Sequence, residues 1–195
     1  MGSTGWRSRG YLPHFDSPEK IQMVTFHLAD SLPEHAIEQI AAKLEDLPEG
    51  KRKIEQQRRL QEWLDSGYGA CYLRRPEVAK IVEDQLLAGD GNSYRLIEWV
   101  IMPNHVHVLA EIEPAIEMWR VVKNWKGPTG VACNRVLDRT GTFWYREYHD
   151  RFMRDEGHFQ NTVGYIHRNP VKAGLCSHPA DWPFGSARLR EWPDR

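Results

Sequence analysis

Cysteine is scarce: Cys71, Cys133 and Cys176 are the only three in 195 residues, and no two form a C-x-x-C pair. That excludes a disulfide framework and a thiolate zinc site, and it suits buried thiols in a reducing cytosol. No apolar run approaches the ~18–20 residues that a membrane span needs, and the first residues lack the apolar stretch of a signal peptide. Trp6 stands where N-myristoylation wants Ser or Thr. We therefore expect a cytoplasmic protein with no membrane partner. Net charge is only −1, so there is no global electrostatic case for a polyanion partner. Internal repeats and low-complexity tracts are missing too.

What is present fits one domain, residues 1–195, with 41% apolar and 27% charged residues and enough chain to bury a core. Charge is unevenly spread: residues 116–195 hold 13 Lys and Arg against 9 Asp and Glu, a balance that suits a surface facing a polyanion. Met1 to Gly10 reads as a mobile arm whose Arg7 and Arg9 are placed to reach a phosphate backbone.

Periodicity gives the elements. Ile21 to Leu28 is rich in β-formers and apolar on both faces, the pattern of a central strand. A helix should open near Ser31-Leu32-Pro33 and run, with Ile37, Ile40, Ala41 and Leu44 on one face, to the break at Pro48-Glu49-Gly50. Lys51 to Asp65 reads as a charged surface helix and Pro76 to Leu87 as a cleaner one ended by Gly89. Tyr94 to Met102 is a second strand, turned by Pro103-Asn104 into a third. A helical pattern from Ile116 should be interrupted at Gly127-Pro128, with Val131 to Leu137 continuing it. Gly141 to Tyr145 is an aromatic loop and Glu147 to Met153 a short fourth strand. The last helix should start near Asp155 and end at Asn169-Pro170, because a residue before proline is pushed out of the helical region. The order is βαββαβ, an α+β ferredoxin-like core with an antiparallel sheet, a helical insertion over residues 51–90 and a C-terminal helix.

Across that turn and into the third strand runs Met102-Pro103-Asn104-His105-Val106-His107-Val108-Leu109. Side chains alternate along a strand, so His105 and His107 share a face about 6–7 Å apart along the chain. Such a pair can hold one metal ion if a third ligand comes from elsewhere; a half-exposed strand with two incidental histidines is the other reading. In the last helix, Tyr165 and Asn169 are one turn, about 5–6 Å, apart on a face beside the packing stripe of Phe159, Val163 and Ile166. Asn169 offers an amide oxygen to a hard cation, and Tyr165 a phenol oxygen next to it.

PNHVHVL, GTFWYREYHDRF and YIHRNPVKAGL, with YLPHFD and VTFHLADSLP before them, resemble the REP-associated tyrosine transposases, single-tyrosine members of the HUH (His-hydrophobic-His) nucleases. The resemblance covers nearly the whole chain and is weakest around Lys51 to Ala88. It implies cleavage and rejoining of single-stranded DNA beside hairpin-forming palindromic repeats, by a monomer. Tyr165 matches the nucleophile, His105 and His107 the metal ligands and Asn169 the third ligand, for Mg²⁺ or Mn²⁺. Lys123, Lys126, Arg151, Arg154, Arg168 and Lys172 are candidate phosphate contacts, with Trp144 or Trp182 for base stacking. His149, His158 and His167 rank below these as proton carriers. Two alternatives remain: a hydrolytic metal-dependent nuclease, and a catalytically silent DNA-hairpin binder.

Overall fold

The computed structural model describes residues 5–8, 13–16, 21–44 and 47–192. Its centre is a four-stranded antiparallel sheet in the order β4-β5-β3-β6, built from β3 (Ile21–His27), β4 (Tyr94–Ile101), β5 (His105–Ile112) and β6 (His149–Phe152). The first and third core strands are therefore neighbours at the centre, as the ferredoxin-like pattern requires. Register pairs Thr25 with His107 and His27 with His105, while Thr25 also pairs with His149 and Met23 with Arg151 on the far side.

One face of the sheet packs on α3 (Pro76–Ala88) and α4 (Met118–Val136). Its core joins Val24, Phe26, Val106 and Val108 of the strands to Val78, Val82, Val121 and Trp125 of the helices, all buried. The other face receives α5 (Glu156–Lys172), with Met23, Val100, Leu109 and Ile166 at the seam. Strand alternation sends His105, His107, Thr25 and His27 to this second face. A bulge between Leu96 and Glu98 of β4 lets Glu98 join it, while Trp99 points to the first face and bonds Glu83 of α3.

Several elements depart from the expected ones. Gly5–Ser8 (β1) pairs antiparallel with Pro13–Asp16 (β2), so part of the amino-terminal arm is a hairpin strand. The helices α1 (Glu34–Leu44) and α2 (Glu49–Asp65) are the added pair, whereas α3, placed in the 51–90 insertion by its sequence position, is one of the two core crossover helices packed on the sheet. Helix α4 runs unbroken through Gly127-Pro128. Proline cannot donate to the carbonyl four residues back, but Asn124 and Pro128 are both exposed, so water can serve that oxygen. Helix α5 likewise continues past Asn169-Pro170 to Lys172. Its stop is a Schellman motif: Gly174 sits at φ +68°, its N–H donates to Val171 and that of Leu175 to Pro170. At the other end Asp155 caps the helix by accepting from the His158 N–H at 2.7 Å.

The carboxy-terminal turns cover the exposed edge of β4: Ile101 N–H donates to the Phe184 carbonyl at 2.8 Å, in line with a packing role for residues 182–186. Cys133 is buried as expected, but Cys71 and Cys176 are half-exposed.

Candidate catalytic centre

The second sheet face carries a knot of polar groups that ordinary core packing would not select. His105 and His107 are both fully buried. Each ring is held through Nδ1: that of His105 lies 2.7 Å from the Asn104 Oδ1, and that of His107 lies 2.8 Å from the Thr25 hydroxyl. With Nδ1 as the N–H donor, the lone pairs of both Nε2 atoms are left to face the centre, where they stand 3.1 Å apart. That is about the spacing of adjacent ligands around an ion with bonds of ~2.1 Å. Partners on the far nitrogen that fix tautomer and orientation are the usual support of ligating histidines. Burial holds both rings in the neutral, ligating form: His105 falls well below its ordinary value, helped by the neighbouring His107 and His27. His107 is lowered to about 3 by burial and then by the Arg151 charge.

An oxygen donor comes from a place the sequence did not suggest. Asp65, the last residue of α2, closes on the pair, its carboxylate 3.9 Å from His105 Nε2. Ligand atoms of Asp65, His105 and His107 all lie within 4.8 Å of one another. Gln61, one turn earlier, donates to Asp65 at 2.6 Å and lies 3.3 Å from His107 Nε2. The end of α2 is tethered there by Asn104, whose amide donates to the carbonyls of Leu64 and Tyr68 at 3.1 and 3.0 Å. Nothing in the charged pattern of residues 51–65 distinguishes Asp65 from a solvated acid, and only the Asn before the first histidine hints at the tether.

Helix α5 brings the other two residues. The Tyr165 hydroxyl lies 3.3 Å from His107 Nε2, with the two rings edge-on at 5.3 Å. Burial, then the Asp65 charge, pushes the phenol above its ordinary value; Asn169 and the Arg151 charge oppose this. Asn169 is 1% exposed, and although it is close to Tyr165 neither its amide nitrogen nor its oxygen reaches a hydrogen-bond partner among the described residues. A buried amide with both ends unmet is costly unless something polar completes it. A hard cation can serve the amide oxygen, and the ligand atoms of His105, His107 and Asp65 that lie together fit a divalent ion: two imidazoles and one carboxylate.

The expected phosphate contacts fall into three groups. Arg151 on β6 borders the centre, and its charge acts on both His107 and Tyr165. Lys123, Arg154 and Arg168 are exposed, as is Lys172, which bridges to Asp65 at 3.2 Å. Lys126 is instead turned inward, donating to the carbonyls of Tyr145, Arg146 and Glu147, and so clamps a loop. Arg9 and the side chain of Arg7 lie outside the described residues. Trp144 is buried and bonds Thr129, which removes it as a stacking surface; Trp182 donates to the Ile101 carbonyl. His167 pairs with the buried Glu98 at 2.7 Å. No described helix is long and apolar enough to cross a membrane.

Residues 77–169 match the family of IS200-like transposases. A REP-associated tyrosine transposase of Escherichia coli is 25% identical over 97 residues, 48% of this chain and 54% of that protein. A Haemophilus influenzae protein assigned to the same class is 28% identical over 96 residues, 44% of this chain and 54% of its own length. The chain thus spans about half the length of the curated relatives it matches. Among solved structures, a REP-associated tyrosine transposase bound to a REP hairpin aligns with a TM-score of 0.52 at 16% identity, over 97% of this chain and 84% of that one, a likeness of fold. The segment that carries both histidines, Tyr165 and Asn169 therefore lies within the match to the IS200-like transposase family, and the chain is similar to the REP-associated tyrosine transposases.

Proposed function

We propose that this protein cuts and rejoins single-stranded DNA beside hairpin-forming repeats, using Tyr165 as nucleophile. The observation that carries this reading is the Tyr165 hydroxyl standing 3.3 Å from the Nε2 of His107, at the mouth of a donor set built for a cation. His105, His107, Asp65 and Asn169 would hold Mg²⁺ or Mn²⁺, which when bound supplies Lewis-acid polarisation of the scissile phosphate. The imidazoles are soft donors for Mg²⁺, so Mn²⁺ should serve at least as well.

The chain's own residues do the rest. Tyr165, rigid on α5, places its oxygen for in-line attack on phosphorus. A phenol ionises with a reference pKa near ~10 and this one is held higher still, so it must lose its proton as it attacks. Arg151 favours the phenolate and is the residue positioned to offset its charge. Attack forms the O–P bond of a 5′-phosphotyrosine and breaks the P–O3′ bond. The phenolic proton passes to solvent, and the departing oxygen takes one up as a 3′-hydroxyl. The link keeps the energy of the phosphodiester, so a 3′-hydroxyl can attack it in turn and restore a continuous strand. Lys123, Arg154, Arg168 and Lys172 supply sequence-independent contacts to the backbone.

The test uses labelled single strands carrying the repeats that flank the gene, incubated with protein and Mn²⁺ or Mg²⁺ and run on a denaturing gel. A protein–DNA adduct that vanishes in Tyr165→Phe and with chelator establishes the reading. Cut strands without an adduct would replace it with a hydrolytic nuclease, and binding without cutting with a silent hairpin binder. Size-exclusion chromatography with light scattering of the active protein should give a monomer.

A further inference from the structure

We propose that the cleft between α4 and residues 141–148 is a pocket for one unpaired nucleobase of the single strand being cut, a reading that rests on the DNA activity proposed above. The cleft has a volume of about 450 Å³, within the range of sites that enclose small ligands. Its chemistry is that of a nucleotide site. Tyr145, Tyr148 and Trp119 give it aromatic walls, and Lys123 and Arg146 give it cations, the last two both exposed. Aromatic surface for the base and cations for the flanking phosphates are the two parts of single-strand recognition.

The sequence of α4 makes little sense without such a role. Gly127-Pro128-Thr129-Gly130 places the poorest helix formers in the middle of a 19-residue helix. Packing does not call for Gly127, since a Cβ there would meet nothing within 4 Å, while one at Gly130 would come into contact with Trp144 at 3.4 Å and Phe143 at 3.6 Å. Both glycines line the cleft, so their bare backbone is what opens it. Val131, 64% exposed on the rim, adds apolar surface. A local rule broken without a packing reason is expected where function demands it. The opposite wall is held in shape by the Lys126 clamp on the carbonyls of residues 145–147.

Placement ties the cleft to the chemistry. Tyr145 lines it and also stacks on the His27 ring, with centroids 4.7 Å apart and planes within 17°. His27 is the register partner of His105. Tyr145 and His27 thus stand between the cleft and the His105 strand, which suits a base near the scissile phosphate.

Gly127→Leu tests this in the full chain, because the new side chain enters open space and improves helix propensity. Fluorescence anisotropy in EDTA would compare both proteins on the repeat-bearing strand and on a series with one abasic position at a time. We expect wild type to lose at least tenfold in affinity at one position. The variant should bind the intact strand at least tenfold more weakly and be indifferent to that position, with its melting shift on Mn²⁺ unchanged. A wild-type profile that is flat across the series, or a variant that binds and scans like wild type, overturns the pocket while leaving the DNA reading intact. Failure of wild type to bind any strand overturns both.

Discussion

Asn104 holds the ring of His105 with one end of its amide and the end of α2 with the other: Oδ1 to the ring Nδ1, Nδ2 to the carbonyls of Leu64 and Tyr68. The residue that fixes the imidazole's tautomer is thereby the residue that keeps Asp65 over the centre. Replacing it with alanine should do two things at once. Mn²⁺ affinity by calorimetry should fall by about 10–100-fold, the usual cost of losing an orienting partner. Stability in urea should fall by about 1–2 kcal/mol as the carbonyls of Leu64 and Tyr68 lose this donor. Unchanged affinity would mean that the tether is packing alone.

Metal should stabilise the fold, since the proposed ligands come from α2, β5 and α5. At an ion concentration a hundred times Kd the gain is about 2.7 kcal/mol, or a rise in Tm of about 5–10 °C for a chain of this size. His107→Ala should abolish that rise. Asp65→Asn should reduce it more than Asn169→Ala, because a carboxylate contributes charge as well as an oxygen. The reverse order, read by differential scanning fluorimetry with and without Mn²⁺, would make Asp65 a bystander.

Tyr165→Phe should separate chemistry from folding. The hydroxyl's contact is a long 3.3 Å approach to His107, while the ring packs with the Ile166 cluster. We expect complete loss of the DNA adduct with stability within about 0.5 kcal/mol of wild type.

Acid should unfold the metal-free protein in two windows. His27 is lowered to about 4, chiefly by burial, with the Lys126 charge adding and the Leu28 carbonyl opposing. A histidine depressed in the fold gives stability that is complete above the unfolded value of ~6.5 and is lost as pH falls toward 4; His105 and His107 act in the same direction. His27→Gln should lower the proton uptake on unfolding by about one in that window, flattening the slope by about 1.4 kcal/mol per pH unit. Glu98 acts lower. Burial would raise its pKa, but hydrogen bonds from His167 and Ser186 and the charges of His167 and Arg190 together bring it below the ordinary value. Its contribution is present above ~4.3 and lost as pH falls through the folded value. Glu98→Gln should cost about 1–3 kcal/mol at neutral pH and remove that acid limb in urea titrations at stepped pH.

Much of this could be read from the chain because local periodicity and topology agree. The βαββαβ order, the shared face of His105 and His107, and the turn that separates Tyr165 from Asn169 all follow from the 2.0 and 3.6 residue periods. What escaped the sequence lies in long-range placement. Asp65 reaches the centre only because α2 is folded back and tied by Asn104, a contact between residues about forty positions apart. Lys126 and Trp144 looked like a phosphate contact and a stacking surface, but three carbonyls capture the first and Thr129 the second. Both prolines misled for one reason. A missing N–H stops a helix only when the orphaned carbonyl is left unserved or a cap follows, and in α5 the cap is set by Gly174, not Pro170.

The buried Glu98 is met by His167, Ser186 and Arg190, groups made 69 to 92 residues later in the chain. On the ribosome, then, the sheet is synthesised with a carboxylate whose partners, in α5 and in the carboxy-terminal turns, are not yet made. A nascent chain cannot complete this buried network until residue 190 has left the exit tunnel.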